Sequence, residues 1–246
     1  MKRLTLALAL LAVPASALDL EAMTEAEREA FRAEVRAYLL EHPEVLSEIA
    51  DALEAKQAEE QIAADAAMIA ANEADIFEDG WSFVGGNPEG GLTLVEFIDY
   101  RCGYCKKAHA EVAELVKSDG DIRYVVKEFP ILGEPSVLTS RFAIATLQVA
   151  GPEAYAQVNA SFYDGSFRGE PSAETLAAHA AGLGLDAHAI LARMDAPEVT
   201  KIIEENHLLA ERLQISGTPT FVFGETMLRG YVPLEQMRMI VTDERG

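Results

Sequence analysis

The sequence predicts an α/β domain that carries a helical insertion and follows a helical segment. Three observations predict it. Residues 92–98, LTLVEFI, are nearly continuously apolar, as expected of a central strand buried on both faces. A helical pattern and a second apolar strand over residues 122–129 come next, and strand–helix–strand implies a parallel pair. Residues 134–214 then give successive helical patterns, broken at Gly151-Pro152, Gly169 to Pro171, Gly182 to Gly184 and Ala196-Pro197, with no convincing strand.

Composition narrows the function. The 246 residues suit one mid-sized domain with an appendage, or two small domains. Half of them are apolar and a quarter charged, which is a globular balance. Asp and Glu number 41 against 20 Lys and Arg, a formal charge of −21. Such a chain is repelled by nucleic acid and by anionic membrane surfaces, so neither is an expected partner. Cys102 and Cys105 are the only two cysteines. That excludes a disulfide-stapled miniprotein and any zinc site needing four thiolates.

The first residues read as an address. Lys2 and Arg3 precede a ten-residue apolar run over residues 4–13, and Ala15 and Ala17 fit an A-x-A cleavage site. This is the pattern of a secretory leader over residues 1–17, cut after Ala17. Ten apolar residues span only about 15 Å as a helix, half of a hydrocarbon core of about 30 Å. Export places the cysteine pair in an oxidising compartment, where it can cycle through a disulfide.

Residues 18–79 read as helix. Thr24 and Glu27 resemble a capping box. Phe31, Val35, Tyr38 and Leu39 recur at helical spacing. Pro43 disfavours helix at His42 and opens a second helix, expected to run unbroken over residues 44–77. A heptad started at Leu46 keeps a convincing seam only through Ile49 and Leu53, which argues against a long coiled coil. Association of copies through residues 31–53 and packing on the chain's own domain both remain open. Glycine-rich residues 80–91 form the joint to the domain proper, with a short edge strand around Trp81, Phe83 and Val84. Near the end, short strands over residues 220–223 and 227–231 flank Gly224 as a hairpin, and a helix over residues 234–241 closes the chain.

The chemistry lies at Cys102-Gly103-Tyr104-Cys105, where the central strand ends and a helix begins. Two intervening residues let both sulfurs meet across one helical turn. Cys102 falls at the helix N-terminus, where unpaired N–H groups and the dipole favour an anion. A thiolate there is the expected attacking sulfur, and Cys105, one turn in, the resolving one. A structural disulfide is disfavoured because closing so short a loop removes little chain entropy. A soft metal held by Cys102, Cys105 and His109 is the alternative function, weakened by the lack of an evident fourth protein ligand. Inert buried thiols are argued against by Arg101, Lys106 and Lys107. No cofactor and no resident metal are expected.

Residues 95–106, Val-Glu-Phe-Ile-Asp-Tyr-Arg-Cys-Gly-Tyr-Cys-Lys, with Gly217-Thr218-Pro219-Thr220 far downstream, resemble the DsbA-like branch of the thioredoxin-fold thiol:disulfide oxidoreductases. Residues 38–46 resemble the helical segment that precedes this domain in the Com1 and ScsC group. The resemblance implies a thioredoxin fold over residues 80–246, its helical insertion over about 134–214, and a redox disulfide Cys102–Cys105. It implies that Pro219 is a cis-proline facing the pair and that Thr218 offers backbone hydrogen bonds to an extended client segment. It implies that Glu96 is a buried acid able to relay protons to Cys105. Gly103 and Tyr104 depart from the Pro-His of strongly oxidising members, which implies a weaker oxidant suited to isomerase or reductase work. The implied partners are client proteins with cysteines and a membrane redox protein. The implied location is the periplasm. The N-terminal helices could assemble a homo-oligomer with facing sites.

Overall fold

The computed structural model describes residues 22–246, and the leader expected over residues 1–17 lies outside them. Contacts divide the chain into two compact units, the first ending at Ala58 and the second running from Glu59 to Gly246.

The first unit contains α1 (Glu25–Glu41) and the opening turns of α2 (Glu44–Ala71). The capping box forms as expected. The Thr24 hydroxyl accepts the Glu27 N–H, and the Glu27 carboxylate accepts the Thr24 N–H at 2.8 Å. His42, held before Pro43, leaves the helix at φ −124° and packs its ring, tilted, against Tyr38 with centroids 4.6 Å apart. No residue of α1 is buried, and Phe31, Val35, Tyr38, Leu46, Ile49 and Leu53 are all exposed.

The second unit takes in the rest of α2, so residues 59–79 of the expected helical segment belong to it, and Ile69 and Ile76 enter its core. The helix expected to be unbroken over residues 44–77 is two helices, α2 and α3 (Glu73–Phe77). The physical reason is Asn72. Its side-chain amide donates to the Met68 carbonyl at 2.8 Å, and its backbone departs to φ −122°, ψ 19°. The break lets Ile69 and Ile76 both reach Val95, Phe97 and Val125.

Among the described residues the sheet has five strands, in the order β1-β3-β2-β4-β5. They are β1 (Phe83–Gly86), β2 (Leu92–Ile98), β3 (Ile122–Glu128), β4 (Thr220–Phe223) and β5 (Thr226–Arg229). β2 and β3 are parallel, from Leu92 opposite Ile122 to Ile98 opposite Glu128. β1 pairs antiparallel with β3, β4 with β2, and β5 with β4. The last strand stops short of the expected 227–231 because Gly230 turns the chain at φ +94°, a conformation favouring glycine.

Helix α4 (Gly103–Asp119) and the terminal helix α10 (Leu234–Arg245) cover one face of the sheet, through Ala108, Val112, Leu115, Met237 and Val241. α10 outruns the expected 234–241 because its last turn is held by charge rather than by apolar contact. Arg245 grips the Asp119 carboxylate with both guanidinium nitrogens at 2.8 Å. Residues 134–212 form the insertion: α5 (Glu134–Ala150), α6 (Pro152–Asp164), α7 (Ala173–Gly182), α8 (Ala187–Met194) and α9 (Pro197–Arg212). On β2, Val95 and Phe97 face the cluster formed with α3 and α9, while Leu94 packs with α4. Strand alternation therefore aims Glu96 at α4, the helix that carries the cysteines.

Candidate active site

The turn between β2 and α4 is held by buried acids. Asp99, fully buried, accepts the Arg101 N–H at 2.8 Å, the Ile131 and Leu132 N–H groups at 2.8 and 3.0 Å, and the Ser136 hydroxyl at 2.8 Å. Two residues before Cys102, Tyr100 donates its hydroxyl to buried Glu128 at 2.6 Å. Glu128 also accepts Tyr155 and Ser140 hydroxyls, each at 2.7 Å. Burial pushes the Glu128 carboxyl up to about 7.

On this base Cys102 is the N-cap of α4. Its sulfur accepts the Cys105 N–H at 3.4 Å, one of the donors that a helix N-terminus leaves without an intrahelical partner. The same sulfur donates to the Thr218 carbonyl at 3.1 Å, from a residue 116 positions downstream. The Thr218–Pro219 bond is cis, and Pro219 is buried while Thr218 stays partly exposed. Both cysteines are free thiols. Cys105 is the deeper one, 1% exposed against 9% for Cys102. Burial, and then the nearby Glu96 carboxylate, push the Cys105 thiol up.

Glu96 lies in the interior at 2% exposure. Burial pushes its carboxyl up to about 7, opposed by a hydrogen bond from the Tyr124 hydroxyl. Tyr124 has no counterpart among the residues that sequence motifs single out. Its only signal is its place on a strand parallel to the one that bears Glu96.

The other singled-out residues divide between the site and its surroundings. Gly103 opens α4 with nothing within 4 Å of where a Cβ would stand, so the mouth beside Cys102 is open. Tyr104 is exposed and stacks against Tyr231 at 6.3 Å. Arg101 pairs with Glu170 at 3.0 Å, and the Lys107 ammonium lies 4.2 Å from the Tyr231 ring centroid, so each has a partner away from the sulfurs. His109 turns its ring onto Tyr163, 4.8 Å between centroids, and burial lowers its pKa. Among the described residues no group of three His, Cys, Asp or Glu side chains converges as metal ligands require, so the soft-metal trio is not assembled.

A mixed five-stranded sheet with a thiol pair at the strand-to-helix turn, faced by a cis-proline, defines a thioredoxin-like redox protein. Residues 93–241 match the DSBA-like thioredoxin domain, and the chain belongs to that family. Its members are protein thiol:disulfide oxidoreductases, which act on client proteins that contain cysteines. Residues 27–60 match the copper resistance protein ScsC N-terminal domain.

Among solved structures, the chain is 37% identical to a thioredoxin-like oxidoreductase from Silicibacter pomeroyi DSS-3, covering 71% of this chain and 98% of that one (TM-score 0.65). It is 25% identical to the thiol-disulfide exchange protein alpha-DsbA2 from Wolbachia pipientis, over 74% and 97% of the two chains (TM-score 0.67). BcfH from Salmonella enterica Typhimurium is 26% identical, over 90% and 97% (TM-score 0.73). A curated relative, the Na(+)/H(+) antiporter NhaA of Herminiimonas arsenicoxydans, is 32% identical over 143 residues. The match takes in 56% of this chain, which spans only 22% of that protein's length.

Proposed function

We propose that the chain exchanges disulfides with exported client proteins through Cys102, leaning to isomerisation or reduction rather than oxidation. The observation that carries this reading is the placement of the Cys102 sulfur between the Cys105 N–H and the Thr218 carbonyl. In that position it is the attacking atom. It forms a mixed disulfide with one client sulfur and releases the other as a thiolate. Cys105 then gives its proton to the Glu96 carboxylate and attacks the Cys102 sulfur. The client leaves reduced and Cys102–Cys105 becomes the disulfide. A second client thiol that attacks first instead produces isomerisation. Thr218, before the cis-proline, pairs its backbone with an extended client segment. The Gly103-Tyr104 dipeptide brings no histidine to stabilise the thiolate, which makes the pair a weaker oxidant.

The leader-like residues 1–17 support export and a periplasmic location, where a membrane redox protein resets the pair. The exposed apolar side chains of the first unit support a homo-oligomer in contact through residues 31–53. Sedimentation at micromolar concentration checks this. The full chain runs as an oligomer, and Ile49→Glu with Leu53→Glu runs as a monomer. A monomeric full chain removes the assembly.

The reading itself is tested by recovery of activity from a client with scrambled disulfides in a glutathione buffer. Catalysed recovery is expected. Catalysed oxidation of a reduced client, without rearrangement of the scrambled one, returns the protein to the oxidases.

A further inference from the structure

Tyr163, on the last turn of α6, is 4% exposed and packs in the same buried cluster as Cys102 and Cys105. Its ring centroid lies 4.8 Å from that of His109, one turn beyond Cys105 on α4, and 5.2 Å from that of Tyr100, two residues before Cys102. The ring is therefore wedged between the redox helix and the turn that precedes it. Its hydroxyl is buried and has no hydrogen-bond partner among the described residues. The neighbouring hydroxyls differ: Tyr100 and Tyr155 donate to Glu128, and Tyr124 donates to Glu96. A buried hydroxyl left without a partner lowers stability, and its persistence asks for a state in which it is used.

We propose that the Tyr163 hydroxyl is the hydrogen-bond donor reserved for the Cys105 sulfur, engaged when Cys105 ionises to resolve the mixed disulfide. This rests on the reading of Cys105 as the resolving cysteine. At 1% exposure a Cys105 thiolate is cut off from bulk water, so the donors that stabilise it come from the protein. A neutral thiol is a weak acceptor, so in the dithiol state the hydroxyl has little to gain and stands idle. In the resolving step the Cys105 proton passes to Glu96. The freed sulfur electron pair forms the bond to Cys102, the Cys102–client S–S bond breaks, and the client sulfur departs as a thiolate. Tyr163 gives up no proton. Burial, and next the Cys105 charge, hold its phenol protonated well above its ordinary range, so it acts only as a donor.

Tyr163→Phe is isosteric and tests the proposal with two readouts of opposite sign. The reduced protein is mixed with oxidised glutathione, quenched with acid at intervals and weighed by mass spectrometry. Formation of the glutathione adduct reads attack, and its decay reads resolution. The ratio of decay rate to formation rate is expected to fall about tenfold in Tyr163→Phe, the size of a hydrogen bond to a charged group. The Tm is expected to rise by a few degrees, because an unpartnered buried hydroxyl has gone. A raised Tm with an unchanged ratio overturns the proposal, since the hydroxyl then serves no step. A lowered Tm also overturns it, since the hydroxyl is then satisfied in the resting protein. If the adduct forms on Cys105, the underlying reading of the cysteines fails instead.

Discussion

Cys102→Ser is expected to reduce disulfide exchange to the uncatalysed rate, and Cys105→Ser to leave attack intact while trapping clients. The two sulfurs sit three residues apart, but the fold treats them differently. Cys102 caps α4 at its open end, beside Gly103, where an added Cβ meets nothing within 4 Å. Cys105 is nearly inaccessible, and burial with the Glu96 charge raises its thiol. Only Cys102 can meet a client sulfur directly. Without Cys105, the mixed disulfide has no internal route of release and persists. Non-reducing electrophoresis of Cys105→Ser after exposure to a client disulfide shows the adduct. Client adducts of equal abundance in Cys102→Ser remove the distinction.

The second large effect concerns Glu96. Its carboxyl is pushed from an ordinary 4.5 up to about 7, chiefly by burial. Between those values the native chain keeps a proton that the unfolded chain has released, so stability falls as pH rises through this window and levels off above about 7. Glu128, also pushed up to about 7, contributes in the same direction. Glu96→Gln imitates the protonated acid and still accepts the Tyr124 hydroxyl. The variant and wild type are expected to melt together near pH 4.5, with the variant about 5 °C higher at pH 8. Thermal melts across pH check this, and parallel melting at all pH values places the carboxyl in contact with water. Glu96→Gln also removes the proton acceptor proposed for Cys105. Resolution is expected to slow by about a hundredfold while the fold gains stability, a combination that a purely structural glutamate does not produce.

Local pattern exposed the framework of this site. An apolar run gives β2, a two-residue spacing gives the cysteine pair, and the turn between them gives Cys102 its helix terminus. The cis bond at Pro219 comes from the family resemblance, since neither apolar periodicity nor spacing links residue 219 to residue 102, whereas the burial of Glu96 also follows from its place between Val95 and Phe97 on a strand read as buried on both faces. Convergence across the sheet was not legible. Tyr124 meets Glu96 from the neighbouring strand, and Glu128 gathers Tyr100, Ser140 and Tyr155 from three separate elements. Lys127, adjacent to Glu128 on a strand read as buried, is fully enclosed and paired with Asp79. Two consecutive charged residues in such a strand were the available sign that partners lay elsewhere. Asn72 was the corresponding sign in the long helix, because its amide competes for a backbone carbonyl.

Brief alkylation of the fully reduced protein with iodoacetamide at pH 7, followed by peptide mass mapping, reads the division of labour between the sulfurs in a single step. Label on Cys102 with Cys105 left unmodified is the predicted result. Equal labelling of the two, or label on Cys105 first, contradicts the account.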